Sequence, residues 1–319
     1  MSRPVRLGLV GCGRLAASGY VPAAGLVPEV RLTAVADPDS GRREQVAAAF
    51  ERGGHRVARF ATVEELLDQA GVDGVVGLVL ATPVAAHVEG AATASSSGLP
   101  VLVEKPPAPD AAGAAALERL DPPPWIGFNR RFDPGVVAVR TRVPAEGALD
   151  LHLELHYRRH SWQSHAVRDD VLLDLGPHLV DMARWLAGSE VVEVASASAG
   201  PERARFDLAF ERGRASIDLA ADRAHREVVE VREPGGRTIA RHRLGGPIAL
   251  VRGRLPFGSG PPALVVSLAA QLAAFADAVQ GRDAGALATA ADGRAAMQVI
   301  DAVRAAAGRD RSSPVPVEG

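Results

Sequence analysis

The run Val5-Arg6-Leu7-Gly8-Leu9-Val10-Gly11-Cys12-Gly13-Arg14-Leu15-Ala16 constrains the fold of this chain more than any other stretch. Its apolar residues, partly β-branched and stopped by glycine, predict a buried strand that turns sharply into a helix. Gly11 permits the tight turn, Gly13 lets the backbone approach a bound pyrophosphate, and the small Ala16 lets the helix pack against its strand. The unpaired N–H groups and positive dipole end of that helix favour an anion. A second apolar run, residues 30–36, ends at Asp37, about 20 residues beyond the glycines, where an acid is expected on ribose hydroxyls. This order predicts dinucleotide binding through Gly11, Cys12, Gly13, Arg14, Leu15 and Asp37.

Strands and helices alternate from residue 5 to about 128, the pattern of a doubly wound parallel sheet. Residues 40–52 read as a helix, 56–60 as a short strand, and Thr62 with Glu65 as a capping box for the next helix. Residues 73–81 form a buried strand that Thr82-Pro83 stops, and a helix follows through His87 to about 97. The strand ending at Glu104 leads into Lys105-Pro106, and residues 125–128 close the sheet. Beyond residue 129 the grammar changes. Leu151, Leu153 and Leu155 alternate with His152, Glu154 and His156, the period of a strand buried on one face. A helix over 171–187 follows, then alternating runs at 191–199, 205–210, 215–219, 228–232 and 238–244. A Gly- and Pro-rich loop over 245–262 and helices over 264–279 and 285–307 complete the pattern. The expected organisation is a dinucleotide-binding domain over 1–128 and an α+β domain over 129–319 with an open, mostly antiparallel sheet. The free face of that sheet suits a subunit contact.

At 319 residues and 47% apolar composition the chain can bury two moderate cores. No apolar run approaches the roughly 18 residues that a membrane span needs. The first strand follows Met1-Ser2-Arg3-Pro4 without an apolar leader, so a cytoplasmic protein is expected. A net charge of -2 and a pI near 6.5 supply no field for nucleic acid or an acidic membrane. Cys12 is the sole cysteine, which excludes an internal disulfide and a cysteine metal cluster. Its place in the glycine turn calls for a small side chain.

Two places can carry chemistry. Lys105 follows a strand whose carboxyl end should line the ligand crevice of a doubly wound sheet. In Asp174-Leu175-Gly176-Pro177-His178, helical spacing puts Asp174 and His178 on one face, one turn apart. The carboxylate can hold the imidazole and raise its basicity, as a proton-exchanging histidine requires. A capping aspartate beside a core histidine has the same spacing. No second ligand lies at helical spacing from His178, so no metal is expected there.

With these segments in order, the chain resembles the glucose-fructose oxidoreductase and inositol dehydrogenase family. The resemblance rests on the glycine turn, Ala36-Asp37-Pro38, Ala81-Thr82-Pro83 with His87, Glu104-Lys105-Pro106, residues 127–132, and the segment from Asp174 to Asp181. It implies a Rossmann domain followed by an open-sheet domain, assembled as dimers or tetramers. It also implies oxidation of a secondary alcohol on a sugar or cyclitol, or the reverse reduction. Lys105 would bond the reacting oxygen, His178 would take the hydroxyl proton, and Asp174 would orient His178 or bind a neighbouring hydroxyl. Ala81, Thr82, Pro83, His87, Glu104 and Lys105 would join the glycine turn in holding the cofactor. Tyr157, Arg159, Trp162 and His165 would contact substrate, with Trp162 able to stack on a sugar ring. Family members commonly carry a glycine-rich stretch before the aspartate, whereas this chain has Arg168-Asp169-Asp170-Val171, which alters the pocket. Asp37 favours NAD because a 2'-phosphate would meet its charge; NADP remains possible if Arg42 or Arg43 takes that phosphate. Alternatives of the same fold are a non-catalytic cofactor-binding sensor and an enzyme that cleaves glycosides through transient oxidation.

Overall fold

In a computed structural model, residues 3–158, 170–245 and 261–311 are described, except for the side chains of 70–73 and 309–311. Six strands, β1 (Val5–Val10), β2 (Val30–Ala36), β3 (Ala58–Phe60), β4 (Gly77–Leu80), β5 (Val101–Glu104) and β6 (Trp125–Gly127), pair in parallel. Across the sheet they lie in the order β6-β5-β4-β1-β2-β3. Chain order reverses between β1 and β4, and the crevice outside the carboxyl ends of strands at such a switch point is where open α/β sheets take their ligands.

The sequence pattern ends this sheet at β6, but a seventh strand lies beyond it. β13 (Ala288–Thr289) pairs antiparallel with β6 through Ala288↔Ile126 and Thr289↔Trp125. Two residues are too short for a periodic signal, and they occupy what sequence reads as the start of the last helix, which begins instead at Ala290. The segment behind the glycine turn also departs from a regular helix. Residues Ala16–Tyr20 are π-helical and run into α1 (Val21–Ala24). Pro22 has no N–H to return to Ser18, and the wider turn, in which Val21 N–H bonds the Ala16 carbonyl, precedes it.

The remaining helices of this part are α2 (Ser40–Glu51), α3 (Val63–Asp73), α4 (His87–Ser96) and α5 (Ala111–Glu118). Asp39 caps α2 by accepting from Arg42 N at 3.0 Å, and Asp110 caps α5 by accepting from Gly113 N at 2.8 Å. Ahead of α3, Thr62 accepts from Glu65 N at 3.2 Å while Glu65 reaches back to Ala61 N at 2.7 Å, one residue beyond the predicted box.

The compact units do not follow chain order. One comprises Met1–Pro134 together with Gly260–Arg294, the other Gly135–Ser259 together with Ala295–Gly319. A boundary after residue 128 therefore gains a returning segment. The reason is packing: α8 (Ala263–Val279) sends Leu268, Leu272 and Phe275 into the same buried cluster as Leu7, Leu9, Leu32 and Tyr20. Asn129 Nδ2 donates to Ser267 Oγ of this helix at 2.8 Å, and Arg131 pairs with Asp292 at 3.4 Å. Residues Asn129–Phe132 form a short 3-10 helix tied to the first unit, and the crossing falls after Pro134, where α6 (Pro134–Arg140) begins.

In the second unit β7 (Leu149–Arg158), β8 (Val191–Ala199), β9 (Arg203–Phe210), β10 (Gly213–Ala220), β11 (Asp222–Arg232) and β12 (Thr238–Gly245) form a sheet ordered β12-β11-β7-β10-β9-β8. Only the central β7–β10 pair is parallel. Helix α7 (Val171–Ala187) covers one face, over Leu151, Leu153, Leu155, Ile217 and Leu219. Gly176 lets α7 close on the chain's final helix, since a Cβ there would stand 2.6 Å from Ile300. The opposite face is polar and paired: Arg214 holds Asp150 at 2.9 Å, His156 meets Asp218 at 3.0 Å, and Arg232 holds the buried Glu230 at 2.9 Å. Among the described residues no helix is long and apolar enough to cross a membrane.

Candidate active site

The glycine turn is built to bring its backbone close to something. Gly11 has φ +95°, and a Cβ on it would lie 2.5 Å from the Ala81 carbonyl oxygen, so only glycine fits between β1 and the end of β4. A Cβ on Gly13 would meet nothing within 4 Å, which leaves open space in front of the helix entrance. Arg14 is exposed at that entrance, and Leu15 packs against the unit's core.

Asp37 closes the turn from the end of β2. Its Oδ2 accepts from Cys12 N at 2.7 Å and its Oδ1 from Asp39 N at 2.8 Å, while Arg43 reaches the Asp37 carbonyl. The acid is therefore held against the glycine turn, as a ribose-binding carboxylate should be. Arg42 is exposed and pairs with Asp39 at 3.4 Å. Burial, then the charge of Asp37, pushes the Cys12 thiol up to about 12, so it stays protonated and inert.

The turns after β4 and β5 adjoin this cradle. Ala81 N bonds the Val10 carbonyl at 2.8 Å, and the Thr82 hydroxyl is buried with no hydrogen-bond partner among the described residues. Pro83 begins a 3-10 turn that leads into α4. His87, the first residue of α4, was expected to touch cofactor; instead the ring is buried, with Nδ1 2.9 Å from the Pro106 carbonyl oxygen and Nε2 2.9 Å from that of Thr82. Burial lowers its pKa, against the pull of those carbonyls.

Glu104 ends β5 almost fully buried. Its Oε1 takes the Tyr20 hydroxyl at 2.5 Å and its Oε2 takes Lys105 N at 3.1 Å, so both carboxylate oxygens are engaged within the protein. Burial raises its pKa, opposed by the Tyr20 hydrogen bond and the charge of Lys105. Gln271 of α8 completes the buried group, donating to Tyr20 Oη at 3.4 Å. Lys105 itself is half-buried just past the strand end. A sequence signal for it lay in plain view and carries more weight than its position: it is the only lysine in a chain with 36 Lys and Arg residues. Every other strongly basic side chain is a guanidinium, whereas this one is a compact ammonium group on a flexible stem.

In the second unit, Asp170 caps α7 by accepting from Leu173 N at 2.8 Å, and the helix carries Asp174 and the buried His178 one turn apart. The Tyr157 hydroxyl at the end of β7 donates to Asp174 Oδ2, which joins two of the expected substrate contacts. Arg159, Trp162 and His165, with Arg168 and Asp169, lie outside the described residues. The open space at Gly13, the acid clamped at Asp37 and the buried unsatisfied Thr82 hydroxyl suit a dinucleotide lying across the switch point.

Comparison with known proteins agrees with this reading. Residues 5–120 match the family model described as an oxidoreductase family with an NAD-binding Rossmann fold, and residues 136–220 match the GFO/IDH/MocA C-terminal domain. Inositol 2-dehydrogenase of Leifsonia xyli subsp. xyli is 33% identical over 196 residues, which is 60% of this chain and 56% of that protein. The chain thus matches little more than half the length of such relatives. Among solved structures, GenD2 from gentamicin A biosynthesis in complex with NAD superposes with a TM-score of 0.78 at 22% identity, over 98% of this chain and 96% of that one. The scyllo-inositol dehydrogenase of Lactobacillus casei, with NAD(H) and scyllo-inositol bound, gives 0.75 at 17% identity over 97% and 98%. At those identities the structures establish the shared fold.

Proposed function

The chain belongs to the GFO/IDH/MocA oxidoreductase family, and from that premise we propose that it is a dehydrogenase exchanging a hydride between NAD and a secondary alcohol or ketone carbon of a cyclitol, sugar or sugar derivative. The observation that carries this reading is Lys105: a lone amine among guanidinium groups, half-buried at the carboxyl end of β5 and anchored through its backbone to a buried glutamate.

Gly11, Cys12, Gly13, Arg14 and Leu15 hold the diphosphate, Asp37 the ribose, and the Ala81-Thr82-Pro83 turn the far end of the dinucleotide. Bound NAD supplies the hydride acceptor. Lys105 donates a hydrogen bond from Nζ to the reacting oxygen and favours its alkoxide-like charge. His178 receives the hydroxyl proton on a ring nitrogen, and returns it in the reverse direction. Asp174, supported by the Tyr157 hydroxyl, orients the imidazole or binds a neighbouring hydroxyl. An alcohol is too weak an acid for histidine to ionise alone at neutral pH, so proton and hydride leave in close concert. Asp37 disfavours a 2'-phosphate, which makes NAD the preferred nucleotide.

The same reading makes the protein a cytoplasmic homodimer or homotetramer that joins through the paired polar face of the second sheet and acts on small molecules rather than nucleic acid or membranes. The test is a panel of inositols, free sugars and nucleotide-linked keto sugars with NAD and NADP, read by absorbance of the reduced nicotinamide. Turnover with a cyclitol or sugar and a preference for NAD are expected. Tight nicotinamide binding without turnover on any member would make the chain a sensor, and cleavage of a glycoside without accumulation of reduced nucleotide would make it a glycosidase.

A further inference from the structure

His87 lies between two turns that leave neighbouring parallel strands, and its imidazole reaches a main-chain carbonyl on each. Nδ1 is 2.9 Å from the Pro106 oxygen, immediately past Lys105, and Nε2 is 2.9 Å from the Thr82 oxygen, at the end of β4. At 1% exposure the ring is sealed off from solvent and from any ligand in the crevice. A neutral imidazole has one N–H, so one carbonyl is bonded while the other faces a lone pair. The tautomer therefore decides which turn the ring secures. The peptide after Lys105 has Pro106 and Pro107 in its way and can offer no N–H of its own there, so α4 grips this turn through its carbonyls, with that of Pro106 2.9 Å from Nδ1 and that of Pro107 also in reach.

We propose that His87 is a positioning residue that donates its Nδ1 proton to the Pro106 carbonyl and so fixes the turn from which Lys105 reaches the reacting oxygen. The role rests on the function proposed above for Lys105. It differs from the cofactor contact expected from sequence, because the ring spends both nitrogens inside the protein.

Asparagine and glutamine separate the two bonds: the side-chain amide of His87→Asn falls near Nδ1 and can still donate to Pro106, whereas that of His87→Gln falls near Nε2 and reaches Thr82. Full-length His87→Asn, His87→Gln and His87→Ala proteins are compared for kcat, KM, NAD affinity, melting temperature and the labelling of Lys105 by trinitrobenzenesulfonate. Labelling is followed at the Lys105 peptide by mass spectrometry, and no other side-chain amine competes. Displacement of a catalytic group by about 1 Å costs on the order of 100-fold in rate, so kcat of His87→Gln and His87→Ala should fall by about that factor while NAD affinity changes far less. His87→Asn should recover most of the loss and keep the wild-type labelling rate, with His87→Gln no less thermostable. Equal kcat and labelling in the Asn and Gln variants, or recovery by Gln alone, overturns the proposal. If the wild-type protein turns over no substrate, the function assigned to Lys105 fails, and the labelling rates still report whether His87 sets its position.

Discussion

Tyr20 donates its hydroxyl to Glu104 at 2.5 Å, and both side chains are buried directly behind the backbone of Lys105. Burial holds the Glu104 carboxyl above its ordinary value of 4.5, so the folded protein keeps a proton that the unfolded chain has already lost. Stability is then greatest below pH 4.5 as far as this group is concerned, and declines as pH rises from there through the raised folded value. Glu104→Gln should flatten that decline in a series of melting curves. An unchanged slope would remove Glu104 as its source. Tyr20→Phe strips the carboxylate of its buried donor and should cost about 1–3 kcal/mol.

The two glycines of the turn should fail differently. Gly11→Ala forces a Cβ to 2.5 Å from a backbone oxygen at φ +95°, and strain of this kind costs about 1–3 kcal/mol or more. Gly13→Ala meets no atom of the described residues within 4 Å and should melt like wild type. Its methyl group instead enters the space reserved for the diphosphate, so NAD binding by calorimetry should weaken at least about tenfold, or 1.4 kcal/mol. Full NAD affinity in Gly13→Ala would place the nucleotide elsewhere.

Lys105→Arg retains a cation but loses the compact shape of the amine. Turnover should drop by about 100-fold or more, the effect of removing an oxyanion donor, with NAD affinity nearly unchanged. Wild-type kcat in this variant would show that charge alone suffices.

His178→Ala should lower kcat by about 100- to 10,000-fold and alter the pH dependence of kcat. Tyr157→Phe, which takes the donor from Asp174, should have a smaller effect in the same direction. A profile for His178→Ala that superposes on wild type would assign proton transfer to another group.

Much of this was legible in the residues. The glycine turn, the acid at position 37 and the Leu151-Leu153-Leu155 alternation each obey a local rule, and the structure places their elements where the rule does. What stayed hidden depends on partners remote in sequence. β13 is two residues long and is a strand only because Ile126 and Trp125 offer an open edge. Leu268, Leu272 and Phe275 give a good helical stripe, but nothing in that stripe names the sheet it will cover. His87 looked like a ligand contact because its motif is near the cofactor cradle, whereas its two carbonyl partners can be found only in three dimensions. Lys105 is marked twice in the sequence, by its position after β5 and by being the sole lysine of the chain.

The return of α8 to the first unit has a genetic corollary. A fragment that stops where the strand-helix alternation stops would lack Leu268, Leu272 and Phe275 and leave Leu7 and Leu32 facing water, an unfinished fold. Recombination between relatives that aims to exchange the second unit has to swap an internal insert, residues 135–259, together with residues 295–319.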